Sequence, residues 1–368
     1  MRRKKEGNMR EIGYYEKQVN TVIHSVEPLC KESMDEVKKK WDTLCKPIKS
    51  LGKLEEMVIQ LGGIRRTEHP KSRKKAVIIM AGDHGIVEEG VTQTGQEVTK
   101  SVVESMTRKA SAVCIMAELN HADVFPVDIG IASDPSGENV IRKKVRYGTN
   151  NFKKEKAMTR EEAAQAVFYG IETVQELVQK GYDTFAIGEM GIGNTTTSSA
   201  ICAAYFQCHA KEVTGRGAGL TSEGLERKIA VIEEALALHK PDTNDVFDVL
   251  SKIGGLDIAG MTGCFLGAAL HRKPIIMDGL ISSVSALLAV ELCPTCKEYI
   301  LPSHCSKEPA GRRILEKLDV EPYFLMDMCM GEGTGAVMAF SVLEYALACY
   351  NKIPRFEENK IEQYVPLE

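Results

Sequence analysis

At 368 residues, of which 43% are hydrophobic and 27% charged, the sequence suits a globular chain with one large core and a smaller appendage. Its formal net charge of −4 argues against nucleic acid or an anionic membrane as the main partner, because both need a basic face. No window approaches ~20 uninterrupted apolar residues, so no membrane-spanning helix is expected.

The basic start, MRRKKEGNMR, runs into polar GYYEKQVN rather than an apolar core, which reads as a solvated tail and not as a secretory signal. A cytoplasmic protein is expected. Residues 1 to about 70 read as helices. The first is predicted from Tyr15 to Lys40, with Val22, Ile23, Val26, Met34 and Val37 on one stripe. After Lys46-Pro47-Ile48-Lys49-Ser50-Leu51-Gly52 the pattern continues helical from Lys53 to Leu61.

From Lys75 a plan repeats: a short apolar run, a turn with Gly and an acid or amide, then a helical segment. AVIIM (76–80) leads to Ala81-Gly82-Asp83-His84-Gly85, and VFPV (124–127) leads to Asp128-Ile129-Gly130. TFAI (184–187) leads to Gly188-Glu189-Met190-Gly191, and PIIM (274–277) leads to Asp278-Gly279. Tyr323 to Met330, YFLMDMCM, reads as a buried strand leading to Gly331-Glu332-Gly333, with a buried helix from Ala336 to Tyr350 beyond it. Continuous apolar strands alternating with helices predict a mostly parallel sheet covered on both faces, a doubly wound α/β domain. Ligands in such sheets sit beyond the carboxyl ends of the strands, where these five turns converge.

Two stretches suit an anion. In FAIGEMGIGNTTTSSAICAAYF, Gly188, Gly191 and Gly193 are followed by Asn194, Thr195 and further hydroxyls at the start of an apolar helix, so backbone N–H groups, hydroxyls and the helix N-terminus combine. The Lys of a P-loop is missing, and the spacing is not that of a dinucleotide fingerprint. Thr214-Gly215-Arg216-Gly217-Ala218-Gly219 is a second glycine turn carrying a cation, with Lys228 on the next helix. Asp83 and His84 are site-lining candidates. Ser303-His304-Cys305-Ser306 lacks an identifiable partner for nucleophilic chemistry.

Glu332 lies between Gly331 and Gly333 with apolar runs on both sides. Gly331, Gly333 and Gly335 permit φ > 0, and an apolar surround raises a carboxylate's pKa, which improves it as a proton acceptor. The alternative is an exposed Glu at a helix N-terminus, favoured by the dipole. The 11 cysteines are an odd number and sit in apolar runs (Cys114, Cys202, Cys264, Cys329, Cys349), as small buried hydrophobes in a reducing compartment do. Cys293 and Cys296 have no second pair at zinc-site spacing, so no metal is expected there.

Taken in order, AGDHGIVEEGV, YGTNN with AMTREEA, GEMGIGNTTT, TGRGAGL, GGLDIAGMTG, MDGLISS, SHCSKEP and MGEGTGA resemble the nicotinate-nucleotide:dimethylbenzimidazole phosphoribosyltransferases of cobalamin nucleotide-loop assembly. The match runs from Lys46-Pro47 to about Asn351. The resemblance implies a Rossmann-like catalytic domain (71–335) and a small helical domain from both chain ends (1–70 and 336–368). It also implies a homodimer that acts on nicotinate mononucleotide and an aromatic azole base without a cofactor. Glu332 matches the family's catalytic base, while Glu189, Gly191, the Gly215 to Gly217 loop and Lys228 would surround the mononucleotide and its phosphate. Ile192, Met330 and Gly331, with Asp278 and Asp83-His84, complete the expected lining. Where the family often has a Ser-Pro or aromatic-Pro step in the base pocket, this chain has Thr94-Gly95-Gln96, so other benzimidazoles, purines or phenolics stay open as acceptors. A nucleotide glycohydrolase and a non-catalytic nucleotide sensor are the competing readings.

Overall fold

A computed structural model describes residues 12–364; MRRKKEGNMR, read above as a solvated tail, lies outside the described residues. Six strands form one all-parallel sheet: β1 (Lys75–Gly82), β2 (Ala122–Gly130), β3 (Ile141–Arg142), β4 (Thr184–Met190), β5 (Ile275–Met277) and β6 (Ile300–Pro302). Their spatial order is β3-β2-β1-β4-β5-β6. The chain therefore winds outward from β1 in one direction and from β4 in the other, which confirms the doubly wound α/β reading. The crevice where the winding reverses opens between the carboxyl ends of β1 and β4.

Both faces of the sheet are buried, and the period-2 geometry of β1 divides its side chains between two cores. Ile78 and Met80 join the core beneath helices Arg160–Gln179, Asn194–Phe206, Leu256–Leu270 and Leu280–Leu292. Val77, Ile79 and Ala81 join the core beneath helices Lys31–Thr43, Lys53–Arg65, Glu97–Thr107, Ala112–Leu119 and Thr334–Lys352. Pro126 is tolerated inside β2 because β3 pairs with β2 only from Val127 onward, leaving an open edge at the proline.

The two chain ends meet on the second face. The Trp41 ring meets Tyr350 edge-on at 5.0 Å between centroids, and the buried Lys46 Nζ lies 2.8 Å from Glu55 Oε1. Helix Tyr14–Ser25 packs on the opposite face, where Arg160 pairs with Glu16 at 2.7 Å.

Three expectations need correction. The helix predicted from Tyr15 to Lys40 is two helices, Tyr14–Ser25 and Lys31–Thr43. Pro28 lacks an N–H and disfavours the helical region at Glu27, so the chain breaks there. The run from Tyr323 to Met330 is not a strand: Phe324 forms one isolated bridge to His304, and Leu325 and Met326 are 67% and 54% exposed. Ile300–Pro302 takes the edge place beside β5 instead, and Asp327, at φ 52°, interrupts any extended backbone. Consequently Cys329 is exposed, unlike the buried Cys114, Cys202 and Cys264. Finally, Gly335 does not use positive φ but lies inside helix Thr334–Lys352, where its missing Cβ admits the His304 ring.

Candidate active site

The end of β1 delivers Asp83 and His84 into the crevice. Asp83 is almost fully buried; its Oδ1 accepts from Thr99 Oγ1 at 2.6 Å and its Oδ2 from the Ala132 N–H at 2.8 Å. Burial nevertheless raises its pKa above the ordinary carboxylate value. Thr99 Oγ1 also accepts from the Ile192 N–H at 3.1 Å, tying the loop after β4 to β1. The His84 side chain is not satisfied by backbone, which is the commoner arrangement for a turn histidine. Its Nδ1 lies 2.8 Å from Thr197 Oγ1, and its Nε2 lies 3.0 Å from Asp257 Oδ1, at ion-pair distance but off the hydrogen-bonding direction.

The end of β4 delivers Glu189 beside the Glu332 turn. Glu189 Oε1 accepts from the Glu332 N–H at 3.3 Å, and Oε2 accepts from the Asn194 side-chain amide. That amide nitrogen also reaches Asp257 Oδ2 at 3.4 Å. Burial first, then the charges of Asp257 and Asp278, push the Glu189 pKa up to about 8. The turn comes this close because position 188 is glycine: a Cβ there would stand 2.6 Å from the Glu332 carbonyl carbon. Glu332 itself is left-handed, at φ 58°, between Gly331 and Gly333, both at φ 81°.

Asp278, at the end of β5, clamps the other side of that turn. Its Oδ2 accepts from the Gly333 N–H and its Oδ1 from the Ala336 N–H, each at 3.1 Å, so it caps helix Thr334–Lys352. Glu332 is therefore not the cap. Its Oε2 is shielded from solvent and has no hydrogen-bond partner among the described residues. Burial, and then the charge of Asp278, raise the Glu332 pKa. A part-buried carboxylate with a free lone pair and a raised pKa, on a turn held by backbone bonds, is equipped to take a proton near neutral pH.

The anion candidates also converge. Gly193, at φ 101°, opens helix Asn194–Phe206 without a side-chain cap. Lys228, on helix Ser222–His239, is 1% exposed and donates to Thr195 Oγ1 at 2.8 Å and to the Gly215 carbonyl at 3.2 Å. Burial depresses its pKa to about 8, with Glu308 opposing. Gly217 approaches so closely that a Cβ there would meet Thr195 Oγ1 at 2.9 Å. The side-chain oxygens of Thr196 and Ser198 on that helix, and of Thr214 before Gly215, are buried without partners among the described residues. Helix N-terminus, hydroxyls and ammonium together form an anion cradle.

The structure thus brings together Glu332, Gly331, Glu189, Asn194 and Asp278 in one contact network. Asp83, His84, Gly191, Ile192 and Gly193 form a second that joins it through Asp257. Arg216 stays apart: its guanidinium closes its own loop on the Leu220 carbonyl and Ser222 Oγ, and the residue is exposed. Thr94 is exposed in the turn before helix Glu97–Thr107, and Met330 is 56% exposed.

Sequence reasoning missed Asp257 and Thr99, and weighed His304 only within a nucleophile candidate that it set aside. Asp257 carried a usable signal, an acid opening the otherwise apolar run LDIAGMTGCFLGAAL, since a carboxylate in a fully buried helix needs partners. The His304 ring stacks on Phe324 and its Nδ1 lies 3.9 Å from Asp278 Oδ1, so it backs the clamp on the Glu332 turn and provides no nucleophile.

A family model described as phosphoribosyltransferase matches residues 26–361. A nicotinate-nucleotide–dimethylbenzimidazole phosphoribosyltransferase of Ruminiclostridium cellulolyticum is 45% identical over 346 residues, covering 94% of this chain and 98% of its own. One of Chloroflexus aggregans is 42% identical over 342 residues, covering 93% and 97%. The crystal structure of CobT from Thermus thermophilus superposes with a TM-score of 0.86 at 33% identity, covering 90% of this chain and 100% of that one. Fold and sequence agree, and the chain belongs to the nicotinate-nucleotide–dimethylbenzimidazole phosphoribosyltransferase family.

Proposed function

We propose that the protein transfers the 5-phosphoribosyl group of nicotinate mononucleotide to a ring nitrogen of 5,6-dimethylbenzimidazole, giving α-ribazole 5′-phosphate and nicotinate, with Glu332 as general base. The observation that carries the base assignment is the shielded, unpartnered Glu332 Oε2 on a turn clamped by Glu189 and Asp278. In the transfer, one azole nitrogen bonds to C1′ while the proton on the other passes to Glu332. The bond from C1′ to the pyridinium nitrogen breaks, and its electron pair returns to nicotinate, which leaves neutral at that nitrogen. No general acid is required.

The nucleotide's β linkage becomes α in the product, so the displacement inverts C1′ with oxocarbenium character. Carboxylates at that centre stabilise the developing positive charge. The cradle of Thr195, Gly215, Gly217 and Lys228 suits the 5′-phosphate, and anchoring it fixes the sugar for attack. Incubation with nicotinate mononucleotide, with and without 5,6-dimethylbenzimidazole, tests the reading. Benzimidazole-dependent nicotinate release with a matching ribotide is expected; release without any acceptor would make the protein a glycohydrolase.

Gly188→Ala checks the placement of the turn independently of its chemistry. The added Cβ must displace the Glu332 backbone, so turnover is expected to fall by roughly tenfold, since a full ångström of misplacement costs on the order of 10²-fold. Unchanged turnover would show that the turn does not need this seat.

Thr94 and Met330, both exposed, are read as the rim of the acceptor side, with Thr94 where the chain departs from the family's base-pocket pattern. We read the protein as a cytoplasmic homodimer. No helix among the described residues is long and apolar enough to cross a membrane, and all eleven cysteines are free. The exposed Leu325 and Met326 suit coverage by a partner. Light scattering should return twice the 40.5 kDa chain mass.

A further inference from the structure

We propose that Asp257 is a positioning residue that governs the protonation of Glu189 through the shared amide of Asn194, so that binding of the pyridinium nucleotide expels a proton from the enzyme. The proposal rests on the nucleotide reading above and deepens it.

Asp257 is fully buried in the first turn of helix Leu256–Leu270. Its Oδ1 accepts from the Ile258 N–H at 2.8 Å and faces His84 Nε2 at 3.0 Å, off the hydrogen-bonding direction. Its Oδ2 lies 3.4 Å from Asn194 Nδ2, the same nitrogen that donates to Glu189 Oε2. One amide nitrogen thus spans two buried carboxylates, and only one of them has a histidine beside it. Two glycines make room for this packing: a Cβ on Gly255 would meet His84 Cε1 at 2.2 Å and Asp257 Oδ1 at 2.6 Å, and one on Gly191 would meet Asp257 Oδ2 at 3.0 Å. Two buried carboxylates bridged by one amide do not both ionise readily, and the one whose surroundings favour the neutral acid keeps the proton.

Glu189 is that one. The titratable groups around it are Asp257 and His84 behind Asn194, Asp83 beyond His84, Asp278 with His304 beyond β5, and Glu332 on the overlying turn. Asp257 and Asp278 are like charges that favour the neutral acid. A pyridinium nitrogen and a C1′ gathering positive charge favour the anion instead. Binding the nucleotide therefore converts Glu189 from acid to carboxylate, with its proton released to solvent. The acid limb of nucleotide affinity follows from this, weakening about tenfold per pH unit below the Glu189 pKa.

Calorimetry of nicotinate mononucleotide binding to the whole enzyme, in buffers of different ionisation enthalpy between pH 7 and 9, reads the released proton directly. The expected result is a release approaching one proton per nucleotide at pH 7, declining toward zero by pH 9. Asp257→Asn keeps the shape and removes the charge, so its acid limb should shift down by about one pH unit and its release at pH 7 should fall. Binding without proton release, or an Asp257→Asn profile superimposable on wild type, overturns the proposal. Failure of the nucleotide to bind overturns the functional reading itself. Should Asp257→Asn not fold, infrared difference spectra of wild type and Glu189→Gln between pH 6 and 9 decide: a protonated-carboxyl band lost in Glu189→Gln supports the proposal, and its absence in wild type ends it.

Discussion

Glu332→Gln is expected to lower turnover by about 10²- to 10⁴-fold, the usual range for loss of a general base, with nucleotide affinity little changed. The substitution is unusually clean in structural terms. The turn is held through the backbone N–H groups of Glu332, Gly333 and Ala336 on Glu189 and Asp278, not through the Glu332 side chain. Because Oε2 has no partner among the described residues, exchanging it for an amide breaks no bond seen in the structure. A loss of turnover therefore reports chemistry and not collapse, and an unchanged melting temperature would confirm that. The pH profile supplies a second readout. Burial and Asp278 raise the Glu332 pKa, so the base is available above that pKa and activity is lost as pH falls through it. In Glu332→Gln that limb should vanish from kcat. Near-normal turnover would take the role from Glu332 and point to Glu189, the neighbouring carboxylate.

The position of this turn was legible in the sequence, but for a partly mistaken reason. Four apolar runs became β1, β2, β4 and β5 as expected, because a strand buried on both faces has to be continuously apolar. Tyr323 to Met330 carried the same signal and is an exposed loop. An apolar run shows that something must cover it, and the sheet is only one cover; the crevice, a ligand or a second chain are others. Strand β3, at two residues, is too short to show any period, and β6 lacks the acid-and-glycine turn that marked the equally short β5. Glu332, Glu189, Asn194 and Lys228 stood out as candidates because glycines or hydroxyls mark close approach along the chain. Asp257 was missed because its partners, His84 and Asn194, are distant in sequence and meet it only when the sheet brings β1 and β4 together.

Lys228→Met should reduce kcat/KM by roughly 10- to 100-fold, the worth of one charge-assisted bond to a phosphate, mostly through KM. The larger consequence is in the pH dependence. Burial depresses the Lys228 pKa to about 8, so in the free enzyme its charge is present below that value and lost as pH rises through it. Wild-type kcat/KM should then fall about tenfold per pH unit on the alkaline side, whereas Lys228→Met should be flat there. Lys228→Arg keeps the charge but must fit a planar fork into a slot sized for an ammonium between Thr195 and the Gly215 carbonyl, so partial recovery at high pH with poor affinity is expected. Glu189 titrates in the same region with the opposite demand, since it must lose its proton where Lys228 must keep one. The optimum is accordingly narrow and its apparent pKa values belong to the whole site, yet the limbs separate by mutation: Lys228→Met removes only the alkaline one and Asp257→Asn moves only the acid one. If Lys228→Met left the alkaline limb in place, the phosphate would have to be held elsewhere, and Arg216, exposed on the adjoining glycine loop, is the cation to change next.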